Sequence, residues 1–129
     1  MLTEQTNPAK MSPVALAFLG DAVYSLLVRQ TLINQNVPAR LLHQKSVELV
    51  NAAAQARAVE KLLPLLSEEE LNIYKRGRNT KTERPKTATS AEYHMSTGFE
   101  ALLGYLYLIG KNDRLREIFN IILGNTNPE

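Results

Sequence analysis

Two acidic residues stand alone in long apolar stretches of the sequence. Asp21 interrupts the run ALAFLGDAVYSLLV, and Glu100 lies in FEALLGYLYLI, each with small residues beside it. Taking a lone carboxylate out of water is costly unless a cation or hydrogen-bond donors compensate it, and small residues let two helix backbones approach closely. The two acids could therefore converge on one Mg²⁺, an ion that takes carboxylate, water and phosphate oxygens and supports phosphodiester hydrolysis. The alternative is that both acids are ordinary exposed or ion-paired residues of amphipathic helices.

A basic segment extends from Lys75 to Lys86 and carries six basic residues and one acid, a local charge of +5 in a chain of net charge +2. It contains no aromatic residue, which suits contacts to phosphates better than stacking on bases. We therefore expect sequence-independent binding of duplex nucleic acid, and the candidate contacts are Lys75, Arg76, Arg78, Asn79, Lys81, Arg84 and Lys86. The alternatives are a solvated loop and an anionic membrane surface, although the segment lacks a basic amphipathic helix that could insert.

Several other chemistries find little support in the sequence. Cysteine is absent, which excludes disulfide scaffolds, thiol nucleophiles and cysteine-ligated zinc. His43 and His94 are the only histidines and are far apart, so surface or structural hydrogen bonding is the favoured role for each. The patterns GxSxG, GxxxxGK and GxGxxG do not occur, so the usual signals of serine hydrolases and of nucleotide-binding enzymes are missing. We expect no nucleotide cofactor.

The elements that position these residues are all expected to be helices. Apolar residues recur at three- and four-residue steps, and no run alternates as a strand would. A chain of 129 residues suits one domain, so we predict an all-α bundle of five to seven helices without a sheet, over residues 12–124. Residues 1–11 are expected to form a flexible N-terminus and residues 125–129 a frayed tail. Without an uninterrupted apolar stretch of about 18 residues or a signal peptide, we expect a soluble, cytoplasmic protein without a membrane partner.

The helix boundaries follow from caps and breakers. Ser12 and Pro13 predict the start of the first helix, which stops within 34–38, and a second helical stretch runs over 40–63, divided near Asn51 and closed by Pro64. The spacing of a serine or threonine three residues before a glutamate predicts capping boxes at 67–70 and 89–92. The helix after the first box is expected to end near 77 and to be followed by a loop over 77–89. The last helix is expected to be capped at 112 or 113 and to end near 124.

Several of these motifs together resemble the ribonuclease III family. The segment FLGDAV at 18–23 is similar to the signature helix of that family, and FEALLG at 99–104 is similar to its second acidic motif, in the same order. The short chain, KRGRN at 75–79, the HxxS pattern at 43–46 and STGFE at 96–100 narrow the resemblance to the Mini-ribonuclease III branch. The likeness covers residues 13 to 123.

The resemblance implies a dimeric, all-helical, cytoplasmic endoribonuclease that cleaves double-stranded RNA with Mg²⁺, for which Mn²⁺ can substitute. Asp21 and Glu100 would be its catalytic metal ligands. It also implies maturation of the precursor of the large-subunit (23S) ribosomal RNA, without a separate domain for binding double-stranded RNA. Since few residues follow Leu123, we expect the basic segment to supply many of the contacts that bind RNA.

Two positions depart from the full-length family pattern. That pattern has a glutamate four residues before the signature aspartate and an aspartate three residues before the second glutamate, where this chain has Ala17 and Thr97. We interpret the replacements as a trait of the Mini branch, and they leave open whether one or two metal ions bind. One alternative is a non-catalytic RNA-binding or assembly module on the same fold. Another is a helix-turn-helix regulator of DNA, for which the sequence lacks an evident recognition helix.

Overall fold

The computed structural model describes residues 7–80 and 89–123, and these residues form six α-helices and two 3-10 turns, without a strand. The helices are α1 (Pro13–Asn34), α2 (Ala39–Val50), α3 (Ala52–Leu62), α4 (Glu68–Arg78), α5 (Ser90–Leu108) and α6 (Asn112–Ile122). The 3-10 turns are Pro8–Lys10 and Leu63–Leu65. The prediction of an all-α bundle of five to seven helices is confirmed for this part of the chain, while the expected frayed tail lies outside the described residues.

The predicted caps set most of the helix starts. The Ser12 hydroxyl accepts hydrogen bonds from the first amides of α1, with Pro13 at the first helical position. Both capping boxes are present, at Ser67 before α4 and at Thr89 before α5. The side chain of Asn51 accepts a hydrogen bond of 2.8 Å from the Ala54 amide and divides α2 from α3. Satisfying the free amides of a first turn fixes where each helix begins.

The predicted cap of α6 is wrong and the predicted loop start after α4 is shifted, while the predicted end of α4 near Gly77 agrees with its last residue, Arg78. The cap of α6 is Lys111, whose carbonyl accepts from the Leu115 amide, and Asn112 is already helical, so neither Asn112 nor Asp113 is the cap. The loop expected over 77–89 begins later, because α4 continues to Arg78. Gly77 is a packing residue and not a stop: a Cβ at this position would lie 2.9 Å from Ala101 Cβ on α5.

Helices α1 and α5 form the centre of the bundle, and their backbones meet at two glycines. A Cβ added to Gly20 would lie 1.7 Å from the carbonyl oxygen of Glu100, and one added to Gly104 would lie 2.1 Å from that of Leu16. Only glycine permits this approach at either position. Around the crossing, α5 also packs against α3, α4 and α6, and its residues Phe99, Ala101, Leu102, Leu103 and Leu106 are buried.

Among the described residues, α1 is the one helix long and apolar enough to span a membrane, with a mean hydropathy of 1.3 over 18 residues. The sequence analysis found no such stretch because it required an uninterrupted apolar run, which Asp21 breaks, whereas the mean hydropathy tolerates isolated charged residues. Within the bundle, α1 buries Leu16, Val23, Val28 and Leu32 in the core it shares with α5. A third of that window is buried, whereas Phe18, Leu26 and Ile33 of the same helix are exposed.

An ion pair joins α4 to α6. The buried Glu70 carboxylate accepts two hydrogen bonds of 2.8 Å from the Arg114 guanidinium and one of 2.9 Å from the Ser67 amide. Burial pushes the pKa of Glu70 upward, but the hydrogen bonds and charge of Arg114 and the hydrogen bonds of Ser67 outweigh burial and lower it. The charged form of Glu70 is therefore favoured by folding.

We expect Glu70→Gln to lower the free energy of unfolding at pH 7 by about 2 kcal/mol, because one partner of a largely buried pair is left without its counter-charge. Since the pKa of Glu70 is lowered on folding, this contribution is present above the ordinary value of 4.5 and is lost as the pH falls through the lowered value. Urea unfolding at pH 7 and at about pH 3 checks this, with the exposed Glu68→Gln of the same turn as control. A difference of the same size at both pH values would contradict the assignment.

Candidate active site

The two acids that stand alone in the sequence lie side by side in the structure. Asp21 follows Gly20 on α1, and Glu100 supplies the backbone that Gly20 touches on α5. Both side chains line the same cleft, and the charge of Asp21 raises the pKa of Glu100. The glycine contact between the helices thus brings together two residues that are 79 positions apart in the sequence.

The charges of this pair are poorly compensated by the protein. Burial, together with the neighbouring charge of Asp21, raises the pKa of Glu100 to about 8, against the opposing hydrogen bond from Gln55. Within residues 7–80 and 89–123, the salt bridges involve Arg114 and Arg116, and none reaches Asp21 or Glu100. Two adjacent carboxylates without a basic partner attract a cation.

The carboxylate pair opens into a cleft of about 790 Å³ between α1, α5 and the corner where α2 meets α3. Ala17 and Thr97, which replace the two acids of the full-length family pattern, also line this cleft. The Thr97 hydroxyl donates a hydrogen bond of 3.0 Å to the Tyr93 carbonyl of its own helix. Among the described residues, no group of three or more acidic, histidine or cysteine side chains could hold a metal. A cation here would therefore have two carboxylates as its protein ligands, a number that suits Mg²⁺ with water and phosphate completing its shell.

A buried glutamine supports Glu100 from the neighbouring helix. Gln55 on α3 is 1% exposed, and its Nε2 donates to Glu100 Oε2 over 3.2 Å and to the Val50 carbonyl over 3.3 Å. Its Oε1 accepts a short hydrogen bond from the Ser96 hydroxyl. The sequence analysis did not find Gln55, and the one available signal was an amide at a position where the apolar spacing of α3 predicts core.

The part of the basic segment that the structure describes forms the last turn of α4. Lys75 is exposed, and the Arg78 guanidinium lies 5.7 Å from the ring centroid of Tyr74, while its Nε donates to Asn79. This turn packs on the part of α5 that lines the cleft, since a Cβ at Gly77 would lie 3.1 Å from the Thr97 carbonyl oxygen. The other three predicted RNA contacts, Lys81, Arg84 and Lys86, lie outside the described residues.

Arg76 differs from its neighbours in the segment. Its guanidinium donates hydrogen bonds of 2.7 Å to the Ala9 carbonyl and 2.9 Å to the Met11 carbonyl. These bonds attach the 3-10 turn Pro8–Lys10, part of the stretch expected to be flexible, to the end of α4. Arg76 therefore already has a structural role in the protein without RNA.

Comparison with known proteins agrees with this fold. The model of the Ribonuclease III domain matches residues 14–111, so the chain belongs to the ribonuclease III family and is an endoribonuclease. Similar proteins include the Mini-ribonuclease 3 of Thermoanaerobacter sp. (strain X514), 50% identical over 113 residues, which are 86% of this chain and 80% of that protein. The Mini-ribonuclease 3 of Symbiobacterium thermophilum is 46% identical over 114 residues, covering 87% and 88%. A crystal structure of a Fusobacterium nucleatum protein superimposes with a TM-score of 0.84 at 31% identity, covering 93% of this chain and 99% of that one.

Proposed function

We propose that the chain is a Mg²⁺-dependent endoribonuclease of the Mini-ribonuclease III type, which cleaves double-stranded RNA in the precursor of 23S ribosomal RNA in the cytoplasm. The observation that carries the proposal is the pair of adjacent carboxylates, Asp21 and Glu100, at the crossing of α1 and α5, which no salt bridge within residues 7–80 and 89–123 reaches. The names of similar proteins, Mini-ribonuclease 3 in each case, support the type of enzyme.

The two carboxylates have the same task in this proposal. Asp21 and Glu100 would hold Mg²⁺, or Mn²⁺ in its place, in the cleft beside the scissile phosphate. Mg²⁺ bound there supplies activation of water and stabilisation of charge on the phosphodiester. Because α1 and α5 are in backbone contact, the backbone positions that carry the two side chains are set before RNA arrives. The protein thus orients its ligands without having to reorganise during hydrolysis.

The basic segment would bind the phosphate backbone of the duplex. Its described part, the last turn of α4, adjoins the region of α5 that lines the cleft. Phosphate contacts of this kind set the register of a duplex without reading its sequence. Lys75, Arg76, Arg78 and Asn79 are the described candidates, of which Arg76 also bonds the Ala9 and Met11 carbonyls. Lys81, Arg84 and Lys86 are proposed from the sequence alone.

Replacing Lys75 and Arg78 together by alanine is expected to weaken binding of duplex RNA regardless of sequence. The slope of log affinity against log salt concentration should become shallower by up to about two units, because two phosphate contacts are lost. Arg76 is left in place because it holds the N-terminal turn. Fluorescence anisotropy over a salt series measures the slope, with Lys111→Ala plus Arg116→Ala as a control of equal charge. An unchanged slope would locate the RNA-binding surface elsewhere.

We propose further that the enzyme is a homodimer formed through the exposed apolar face of α1. The side chain of Phe18 is 83% exposed and that of Val14 is 45% exposed, and both border the cleft. Large apolar side chains in one exposed patch are typical of a protein interface. Dimerisation through this face would place one carboxylate pair against each RNA strand.

Phe18→Asp is therefore expected to give monomers, because a charge would have to be buried in an apolar interface. Light scattering should give wild type twice the 14.4 kDa mass of the chain and the variant the single mass. Leu65→Asp is the matched control, since Leu65 is 53% exposed and does not line the cleft. A Phe18→Asp protein that remains dimeric would show that α1 is not the interface.

The function is tested by incubating purified protein with a perfectly paired RNA and with the folded ends of a 23S precursor, with Mg²⁺ or with EDTA. We expect Mg²⁺-dependent cleavage of both strands, with 5′-phosphate and 3′-hydroxyl ends, and no cleavage of a DNA duplex of the same sequence. Cleavage of the paired RNA but not of the precursor would refute the ribosomal substrate. Binding without cleavage would favour the non-catalytic module, and equal competition by duplex DNA would favour a DNA-binding role.

A further inference from the structure

The buried amide of Gln55 connects three helices at the candidate active site. Gln55 lies on α3, it bonds the carbonyl of Val50 at the end of α2, and it bonds Ser96 and Glu100 on α5. Ser96 and Glu100 are four residues apart and so share one face of α5. A single side chain thus links the corner of α2 and α3 to the face that carries the metal-ligand candidate.

The neighbours of the Gln55 amide leave it one orientation. Its two N–H groups face acceptors, the Val50 carbonyl oxygen and Glu100 Oε2, at 3.3 and 3.2 Å. Its oxygen faces the Ser96 hydroxyl, which donates to it. A reversed amide would place its oxygen against two acceptors and its N–H groups against a hydroxyl that needs an acceptor. Because the Gln55 side chain is 1% exposed, solvent has little access to relieve such a mismatch at its amide.

As a result, one of the two carboxylate oxygens of Glu100 is held by a hydrogen bond. The N–H group of Gln55 holds Oε2, which leaves the rest of the carboxylate and the adjacent Asp21 to a cation in the cleft. A fixed hydrogen-bond donor also favours the charged carboxylate against burial and against repulsion by Asp21. Rotation of the Glu100 carboxylate towards α3 or away from the cleft would break this contact.

The orientation of the Glu100 carboxylate affects cation binding more in this chain than in the full-length family pattern, which has two further acids at the positions of Ala17 and Thr97. Ala17 offers no oxygen at its position, and the Thr97 hydroxyl is directed to the Tyr93 carbonyl. No third acidic side chain is grouped with the pair in the described residues. If Asp21 and Glu100 are the ligands that the described residues supply, misplacing either one removes half of them.

We propose that Gln55, oriented by Ser96, is a positioning residue that holds the Glu100 carboxylate in the geometry required to bind the divalent cation. The inference rests on the proposed function, because it assigns a role relative to the same cation. Residues that orient metal ligands typically contribute 10- to 100-fold in metal affinity or activity. Gln55 itself touches neither RNA nor the reacting atoms in this assignment.

Gln55→Leu tests the proposal, because leucine has a similar volume but neither donates nor accepts. We expect about 10- to 100-fold weaker binding of Mn²⁺ and Mg²⁺ to the RNA-free protein, measured by calorimetry. The Mg²⁺ concentration for half-maximal cleavage should rise by the same factor, whereas KM for RNA stays near wild type and kcat recovers at saturating Mg²⁺. The matched control is Gln35→Leu, in the exposed turn about 20 Å along α1 from Asp21.

A folded Gln55→Leu protein with wild-type metal affinity and wild-type Mg²⁺ dependence would overturn the proposal. If that variant does not fold, an NMR titration of the wild-type protein with Mg²⁺ tests the proposal. The side-chain amide signals of Gln55 should shift, with the same midpoint as the metal binding measured by calorimetry. Amide signals that do not move on metal binding would equally overturn it. Failure of the wild-type protein to cleave RNA at any Mg²⁺ concentration would instead refute the proposed function. The experiments therefore distinguish failure of the Gln55 proposal from failure of the proposed function.

Discussion

Asp21→Asn and Glu100→Gln are each expected to slow cleavage of duplex RNA by about 10³-fold or more, with little change in RNA affinity. Each substitution keeps the size of the side chain and removes one of two charged oxygen ligands from the cleft. A bound divalent cation stabilises the transition state by several kcal/mol, and each 1.4 kcal/mol corresponds to about tenfold in rate. Single-turnover cleavage with enzyme in excess measures the effect without a contribution from RNA release.

The same substitutions should leave the metal-free protein more stable than wild type. Burial and the repulsion from Asp21 raise the pKa of Glu100 to about 8, so folding holds this carboxyl group at a cost in free energy that no salt bridge of the described residues offsets. Removing one charge relieves this repulsion, and we expect a rise of a few degrees in Tm in EDTA. Mg²⁺ should raise the Tm of wild type and have a smaller effect on either variant.

Two exposed residues provide controls, Asp113→Asn on α6 and Glu60→Gln on α3, which make the same chemical changes away from the cleft. Both controls should cleave RNA at the wild-type rate. Wild-type cleavage by Asp21→Asn or Glu100→Gln would show that the carboxylate pair is not the catalytic centre. A variant that loses both cleavage and RNA binding would indicate damage to the fold, which its Tm would reveal.

The local parts of the fold could be predicted from the sequence because they depend on residues close together in the chain. Ser12, Ser67 and Thr89 cap α1, α4 and α5 through side chains that reach amides two or three residues away. The cap of α6 was mispredicted because Lys111 uses no side-chain hydrogen bond, so nothing in its residue type marks it. Gly77 was interpreted as a helix end because its close contact with α5 is visible only when the two helices are packed.

The candidate site also contains residues that the sequence pattern reveals and residues whose role depends on how the helices pack. Asp21 and Glu100 could be found because an acid in an apolar run is conspicuous, and their proximity could be anticipated from the small residues near them. Gln55 could not be found, because its role depends on where α3 lies against α5. From the sequence, the same role in RNA binding was predicted for every basic residue of the segment. In the structure Arg76 bonds two backbone carbonyls, whereas Lys75 is exposed.

Gly20→Ala and Gly104→Ala are expected to lower the free energy of unfolding by at least about 4 kcal/mol each, a large share of the 5–15 kcal/mol typical of a domain. The added Cβ would lie 1.7 Å from the Glu100 carbonyl oxygen at Gly20 and 2.1 Å from that of Leu16 at Gly104. Both obstacles are backbone atoms within helices, so no side-chain rotation relieves the overlap and α1 must move away from α5. Helix propensity alone predicts the opposite sign, since alanine is favoured over glycine by about 1 kcal/mol inside a helix.

Gly110→Ala separates steric overlap from backbone strain. Gly110 has a φ of +78°, and a Cβ there would meet no atom within 4 Å, so we expect a loss of only about 1 kcal/mol from the left-handed conformation. Urea unfolding of the three variants measures the ranking. A Gly20→Ala protein as stable as wild type would mean that α1 and α5 do not meet as closely as described. If the variant folds only in part of the population, its cleavage rate per folded molecule should still fall, because separating the helices draws Asp21 away from Glu100.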